Sequence, residues 1–252
     1  MKAIDRLSIQ LYSARFYRTL EDQFDMLAGL GYRLVEPYGG LFNDVPLLER
    51  LLAKHGMKAP SAHVGLDRLR ADARAAAGIC KRLGIETVFA PAPPQGEREG
   101  DEQHWRRIGK ELKAIGEVLA GEGLRFGWHN HNWEFGKTAK GTTFLEAMFE
   151  EAPALLWQAD IAWVVRGGAD PLAELAKRAD RVVACHVKDI APAGQCVDED
   201  GWADPGQGTL DWKALRAAIA KTKIDLFVVE HDKPNDAERF ARRAREFVAS
   251  WN

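Results

Sequence analysis

The feature that most narrows the folds open to this chain is an alternation, repeated eight times, of a short β-rich run with an amphipathic helical stretch. The β-rich runs of the first half are RLSIQLYS from Arg6, RLVEPYG from Arg33, KAPSAHVG from Lys58 and ETVFAPAP from Glu86. The second half continues with RFGWHNH from Arg125, LLWQADIAW from Leu155, RVVACHVKD from Arg181 and DLFVVEHD from Asp225. Between them lie stretches such as EDQFDMLAGLGY, VPLLERLLAKHGM, WRRIGKELKAIGEVLAGEGL and AERFARRAREFVASWN, whose apolar residues recur near helical spacing. Gly31, Gly56, Gly84 and Gly123 stand where those helices should stop.

Strict alternation implies a parallel sheet with helical crossovers, and eight such units can close into a barrel that has no exposed edge. An open doubly wound sheet is the competing arrangement. No strand runs into a glycine-rich GxGxxG turn, and polar residues gather at strand ends throughout, so the reading is α/β, a single (β/α)8 TIM barrel over residues 1–252. The length of 252 residues fits, because one such barrel takes about 250.

Composition removes several function classes. With 46% hydrophobic and 29% charged residues the chain is ordinary globular protein, with no segment apolar enough to span a bilayer. The amino terminus breaks its apolar residues with Asp5, Arg6, Ser8 and Gln10, which leaves no secretory h-region. Three widely spaced cysteines, Cys80, Cys185 and Cys196, suit a reducing compartment, so a cytoplasmic protein is expected. A net charge of −2 offers no basic footprint for nucleic acid. The expected partner is a small molecule, with self-association into a homo-oligomer left open.

In a (β/α)8 barrel the chemistry sits at the carboxyl ends of the strands. Those ends carry Glu36, His63, His129 with Asn130 and His131, Glu134 just beyond, Asp160, His186 with Lys188 and Asp189, and Glu230 with His231 and Asp232. Each alone would more often be a helix cap or a salt-bridge partner than a ligand. Together they are harder to dismiss. Apolar strands run straight into an imidazole or a carboxylate, and an unpaired charge buried there would cost on the order of several kcal/mol, which a bound cation would offset. Such an oxygen-rich set suits Mn²⁺, Mg²⁺ or Co²⁺, whereas a structural Zn²⁺ would usually bring cysteine pairs. Cys185 precedes His186 and should therefore face the barrel wall. The GQG of residues 206–208 lacks the Lys-Ser/Thr of a phosphate loop and is expected to be a tight turn before an Asp211 cap.

WHNHNWEF (Trp128 to Phe135), DIAW (Asp160 to Trp163), HVKD (His186 to Asp189), GQGTLDW (Gly206 to Trp212) and VVEHD (Val228 to Asp232) together resemble the sugar phosphate isomerase/epimerase family. These xylose-isomerase-like TIM barrels include inosose dehydratases and ketose 3-epimerases. The resemblance implies a divalent cation (Mn²⁺, Mg²⁺, Co²⁺ or Zn²⁺) held by a carboxylate after the fifth strand, an Asp after the sixth, a His after the seventh and a Glu after the eighth. The last three fall on Asp160, His186 and Glu230. Many relatives have a glutamate where this chain has His129, so the first ligand is expected to be Glu134, with His129 as the second choice.

A cation chelating adjacent carbonyl and hydroxyl oxygens favours loss of the proton alpha to the carbonyl and stabilises the resulting enediolate. Glu134 and Glu230 are expected to trade that proton, with His63, His129 and Lys188 placing substrate hydroxyls or serving as alternative proton carriers and with Glu36, His131 and Trp163 also lining the substrate. Trp128, Trp133, Trp163 and Trp202 offer apolar faces that suit a sugar ring and structural packing equally. Returning the proton elsewhere is isomerisation or epimerisation; expelling a β-hydroxyl from the same intermediate is dehydration, the rival reading. A DNA-repair endonuclease would need more ligands and a basic face, and a non-catalytic binding protein would hold no metal.

Overall fold

All eight β-rich runs form strands in the computed structural model, which describes residues 2–251. They are β1 (Leu7–Gln10), β2 (Leu34–Glu36), β3 (Ser61–His63), β4 (Thr87–Ala90), β5 (Arg125–His129), β6 (Leu156–Asp160), β7 (Val182–Val187) and, after an inserted two-stranded hairpin of β8 (Asp189–Ile190) and β9 (Trp202–Ala203), β10 (Leu226–Val229). The helices are α1 (Leu20–Gly29), α2 (Val45–His55), α3 (Leu66–Arg82), α4 (Glu102–Gly121), α5 (Phe144–Glu151), α6 (Ile161–Arg166), α7 (Pro171–Lys177), α8 (Trp212–Ile219) and α9 (Ala237–Ala249).

The strands pair in parallel in the order β2-β1-β10-β7-β6-β5-β4-β3. The remaining seam, between β2 and β3, is drawn together by parallel bridges from Leu34 to Lys58 and from Tyr38 to His63. Its backbone bonds run from Val35 N–H to Lys58 O at 3.0 Å and from His63 N–H to Pro37 O at 2.9 Å. The result is the (β/α)8 barrel. All four expected stopping glycines adopt positive φ: Gly31 (87°), Gly56 (59°), Gly84 (69°) and Gly123 (82°). Only residues without a Cβ take that conformation cheaply.

Side chains of a strand alternate between faces, and this places the site. Outward positions such as Val35, Val88, Trp128, Trp157, Cys185 and Val229 are buried against the helices in the main core. Inward positions such as Phe89, Ala184, Leu226 and Val228 form a second, smaller core, with Leu34 and Leu156 packed on it. Gly127 belongs to this interior because Phe89 fills its place: a Cβ there would lie 2.7 Å from the Phe89 ring. One step further along the same inward rows come Gln10, Glu36, His63, His129, Gln158, Asp160, His186 and Glu230. Cys185 faces the wall, as alternation requires.

The sixth run ends earlier than the sequence pattern implies. Asp160 closes β6 and caps α6, its Oδ1 accepting the Trp163 N–H at 2.9 Å, so Ile161 to Trp163 are helical. The expected turn before α8 is present, with Asp211 Oδ1 accepting the Ala214 N–H at 3.0 Å. Its organiser is Asp189, whose carboxylate accepts from the N–H groups of Ile190, Gly206 and Leu210 and from the Trp212 indole. A Cβ on Gly208 would lie 2.1 Å from Asp189 Oδ1, which is why that turn needs glycine.

Candidate metal centre and active-site mouth

Four strands converge on one point. His129 of β5, Asp160 of β6, His186 of β7 and Glu230, just past β10, are all buried, and each offers a ligand-capable atom within 4.8 Å of the others. Two of the donors are unspent. Asp160 Oδ2 and His129 Nδ1 are buried without a hydrogen-bond partner among the described residues, an arrangement that normally costs about 1–3 kcal/mol per group. Since capping α6 uses only Asp160 Oδ1, the second oxygen stays available. Asn130 holds the two strand tips in register: its Oδ1 accepts the Asp160 N–H at 3.0 Å and the Trp157 indole at 2.9 Å, and its Nδ2 donates to the Asp160 carbonyl at 3.1 Å. The donor set of two imidazoles and two carboxylates fits a divalent cation.

His186 lies between two carboxylates, with Nδ1 2.9 Å from Glu230 Oε2 and Nε2 3.0 Å from Glu36 Oε1. Burial works against its charge, but Glu230 and Glu36 outweigh that and push its pKa up to about 10. Glu36 is fully buried and fully engaged, accepting from Gln10 Nε2 at 2.9 Å, Gln158 Nε2 at 2.7 Å and the Ser61 hydroxyl. Burial would raise its pKa; the charges and hydrogen bonds of His63 and His186 hold it below the usual carboxylate range. His63 Nε2 sits 2.7 Å from Gln158 Oε1 and 3.1 Å from Glu36 Oε1. Its ring, those of His129 and His186, and their buried nitrogens form a second ligand-capable group that shares two members with the first.

Three expected site residues, Glu134, Glu36 and Lys188, sit elsewhere than the sequence reading placed them. Glu134 lies outside the converging quartet. Trp128 and His129 are neighbours on a strand and face opposite sides, and Glu134 follows the tryptophan. Its Oε1 accepts the Trp128 indole at 2.9 Å and its Oε2 the His131 N–H at 3.0 Å, on the helix side of the sheet. Burial pushes its pKa up to about 8. The second choice, His129, is the β5 residue that belongs to the quartet. Glu36 does not line the substrate cavity but lies beneath it, holding His186 and His63.

Lys188 is also fully buried. Its ammonium is 2.5 Å from Asp232, 3.5 Å from Glu230 and 3.6 Å from Asp160, and lies 4.2 Å from the ring centre of Trp202 and 5.1 Å from that of Trp163. Burial disfavours its charge, and Asp232, Glu230 and Asp160 more than restore it. The β8–β9 hairpin, which no periodicity announces, supplies the Trp202 roof. Asp160, by contrast, has its pKa pushed up to about 6 by burial, with Lys188 pulling the other way.

Above this layer opens a cavity of about 720 Å³, lined by His63, His129, His131, Trp163 and Glu230 from the expected set. His131 stacks on Trp133, ring centres 4.4 Å apart. Burial lowers its pKa to about 3, so it stays neutral. The sequence reading passed over Gln10, Ser61 and Gln158, which fix Glu36, and Arg15, Arg68 and Arg98, which line the cavity. Inward register would have found Gln10 and Gln158; Arg15 and Arg98 lie in connecting segments, where no periodicity operates, and Arg68 stands in the first turn of α3, where its direction toward the mouth is not marked by an apolar pattern.

Comparison with known proteins agrees with the barrel fold. An inosose dehydratase of Clostridium tetani (strain Massachusetts / E88) is 24% identical over 165 residues, 58% of this chain and 54% of that protein. This chain thus spans little more than half the length of such curated relatives. A sugar phosphate isomerase/epimerase from Parabacteroides distasonis ATCC 8503 superposes with a TM-score of 0.78 at 17% identity, covering 96% of this chain and 92% of that one. The IOLI protein, solved with a binding zinc atom, gives 0.77 at 17% identity over 98% and 99% of the two chains. At such identities the likeness is one of fold. A sequence model of the Xylose isomerase-like TIM barrel family matches residues 24–251, and the chain belongs to that family.

Proposed function

We propose that this protein is a divalent-metal-dependent isomerase or epimerase of a sugar, keto-sugar or polyol-derived substrate, acting by proton abstraction alpha to a carbonyl. The observation that carries this reading is the convergence of His129, Asp160, His186 and Glu230 to within 4.8 Å at an open cavity large enough to admit a sugar. These four would hold the cation, and their two imidazoles favour Zn²⁺ or Co²⁺ over Mg²⁺. When bound, the cation supplies the Lewis acidity that makes a carbon-bound proton removable.

The chain's own residues do the rest. Glu230 lines the cavity, and although burial would raise its pKa, Lys188 and His186 keep it ionised, so it can accept a proton. With Glu134 turned toward Trp128, His63 is the proton-capable group facing Glu230 from another part of the wall, and it is held by Gln158 and Glu36. Neutral His131 and Trp163 orient substrate hydroxyls. The test is proton–deuterium exchange: the Mn²⁺- or Co²⁺-loaded protein, incubated in D2O with a panel of keto-sugars and inososes, should label carbon. Absence of label across the panel would overturn the reading.

Dehydration at the same site is the second reading, favoured by the similarity to inosose dehydratases. Loss of water from a labelled substrate, followed by mass spectrometry, separates the two.

A further inference from the structure

The charges around the mouth do not balance, and the imbalance points to the substrate. The segments after β1 and β4 and the first turn of α3 bring Arg15, Arg98 and Arg68 into the same cavity, each half-buried. Among the described residues none of the three has a carboxylate within ion-pair distance, whereas Arg70, Arg106 and Arg239 each clamp two or more. The other charges of the lining are already matched: Asp200 with Lys233 at 3.0 Å, Asp232 with Lys188 at 2.5 Å, Glu230 with His186 at 2.9 Å. Only Asp67 remains to face three guanidinium groups.

Two of those groups are held in place by aromatic rings. Arg15 lies 3.8 Å from the ring centre of Tyr12 and donates to the Tyr12 carbonyl at 2.8 Å, and Arg98 lies 5.0 Å from that of Trp133. Stacking fixes a guanidinium plane and leaves N–H groups at its edge for a planar or tetrahedral oxyanion. Trp133 and Trp163 line the same cavity, and among the described residues their buried indole N–H groups have no acceptor. The cationic wall comes from β1, β3 and β4, and the ligand quartet from β5, β6, β7 and β10, so one molecule can span both.

We infer that Arg15, Arg68 and Arg98 form an oxyanion subsite and that the substrate is an acid, carrying a carboxylate or phosphate group away from its reacting carbon. This rests on the proposed function for its reacting end, but the subsite is testable without it. Metal-stripped protein, dialysed free of chelator, is titrated separately with inorganic phosphate and with malonate while tryptophan fluorescence and calorimetry are followed. At least one ion should bind saturably with a millimolar Kd, about the strength expected of a small anion on a few charged hydrogen bonds.

Arg68→Gln, which removes a guanidinium with no hydrogen bond among the described residues, should weaken that binding about tenfold, and the triple glutamine variant should abolish it. Binding of phosphate alone assigns a phosphate ester; binding of malonate, with or without phosphate, assigns a carboxylate. If neither ion binds at about 50 mM, well above a millimolar Kd, or if the triple variant binds like the wild type, the subsite is overturned. Carbon exchange on neutral keto-sugars by the metal-loaded protein would then still stand as a separate result.

Discussion

The imidazole rings of His129 and His186 lie with centres 4.4 Å apart, one with its Nδ1 unpartnered and the other with a carboxylate on each nitrogen. They represent two ways of presenting a ligand: His129 is ready, whereas His186 must first give up a proton. Glu134, the other candidate beside β5, is committed to Trp128 and His131.

His129→Ala should therefore lower Mn²⁺ or Zn²⁺ affinity by at least about tenfold, the smaller end of the effect of losing a ligand or its support. Glu134→Ala should leave metal affinity nearly unchanged and lower stability by about 1–3 kcal/mol, because it strands two buried donors. Calorimetric metal titration and thermal melts of both variants check this. The opposite pattern would return the ligand role to Glu134.

Metal affinity should climb with pH. His186, pushed up to about 10 by Glu230 and Glu36 against burial, is protonated at neutral pH, so uptake through either nitrogen releases a proton. Asp160, pushed up to about 6 chiefly by burial, adds a second proton in acid. Between pH 7 and 8 the apparent Kd should fall about tenfold, with a steeper dependence below pH 6. Titration in buffers of differing ionisation heat counts the protons directly, and a flat profile would exclude His186 as ligand.

Lys188→Met should destabilise the metal-free protein by about 3–5 kcal/mol, since it leaves the buried Asp160 and Glu230, and the half-buried Asp232, without their shared cation. A saturating divalent metal should restore part of that loss by returning positive charge to Asp160 and Glu230. Melting curves with and without metal decide. An unchanged melting temperature in the metal-free protein would mean that Lys188 does not balance these carboxylates.

Glu230→Gln should retain the fold and lose at least about 10²-fold in turnover, the size of one acid/base contribution. Once an exchanging substrate is in hand, the rate of carbon-bound deuterium incorporation is the readout. Near-normal exchange would remove Glu230 from the chemistry.

Much of this was legible in the sequence. Alternation of β-rich and helical runs foretold the barrel, because period-two and near-3.6 patterns report burial directly. It also foretold that Asp160, His186 and Glu230 would end inward rows. Glu134's position outside the quartet was not legible because a loop carboxylate carries no register; it accepts from the Trp128 indole, which faces outward and needs an acceptor. The inserted β8–β9 hairpin escaped notice because its strands are two residues long, too short for any period.

The seam between β2 and β3 has a mechanical consequence. Its bridges are isolated ones, yet Glu36 on one lip accepts hydrogen bonds from Ser61 and is reached by His63 on the other. The groups that steady the histidines are therefore also the clasp that keeps the cylinder shut. Loosening that clasp, as Glu36→Ala would, should let the amides of Val35 and His63 exchange with solvent sooner than those of β6 or β7. Whatever strengthens the hold on His186 would then tighten the whole cylinder, so occupancy of the site should be readable as slower amide exchange along the seam.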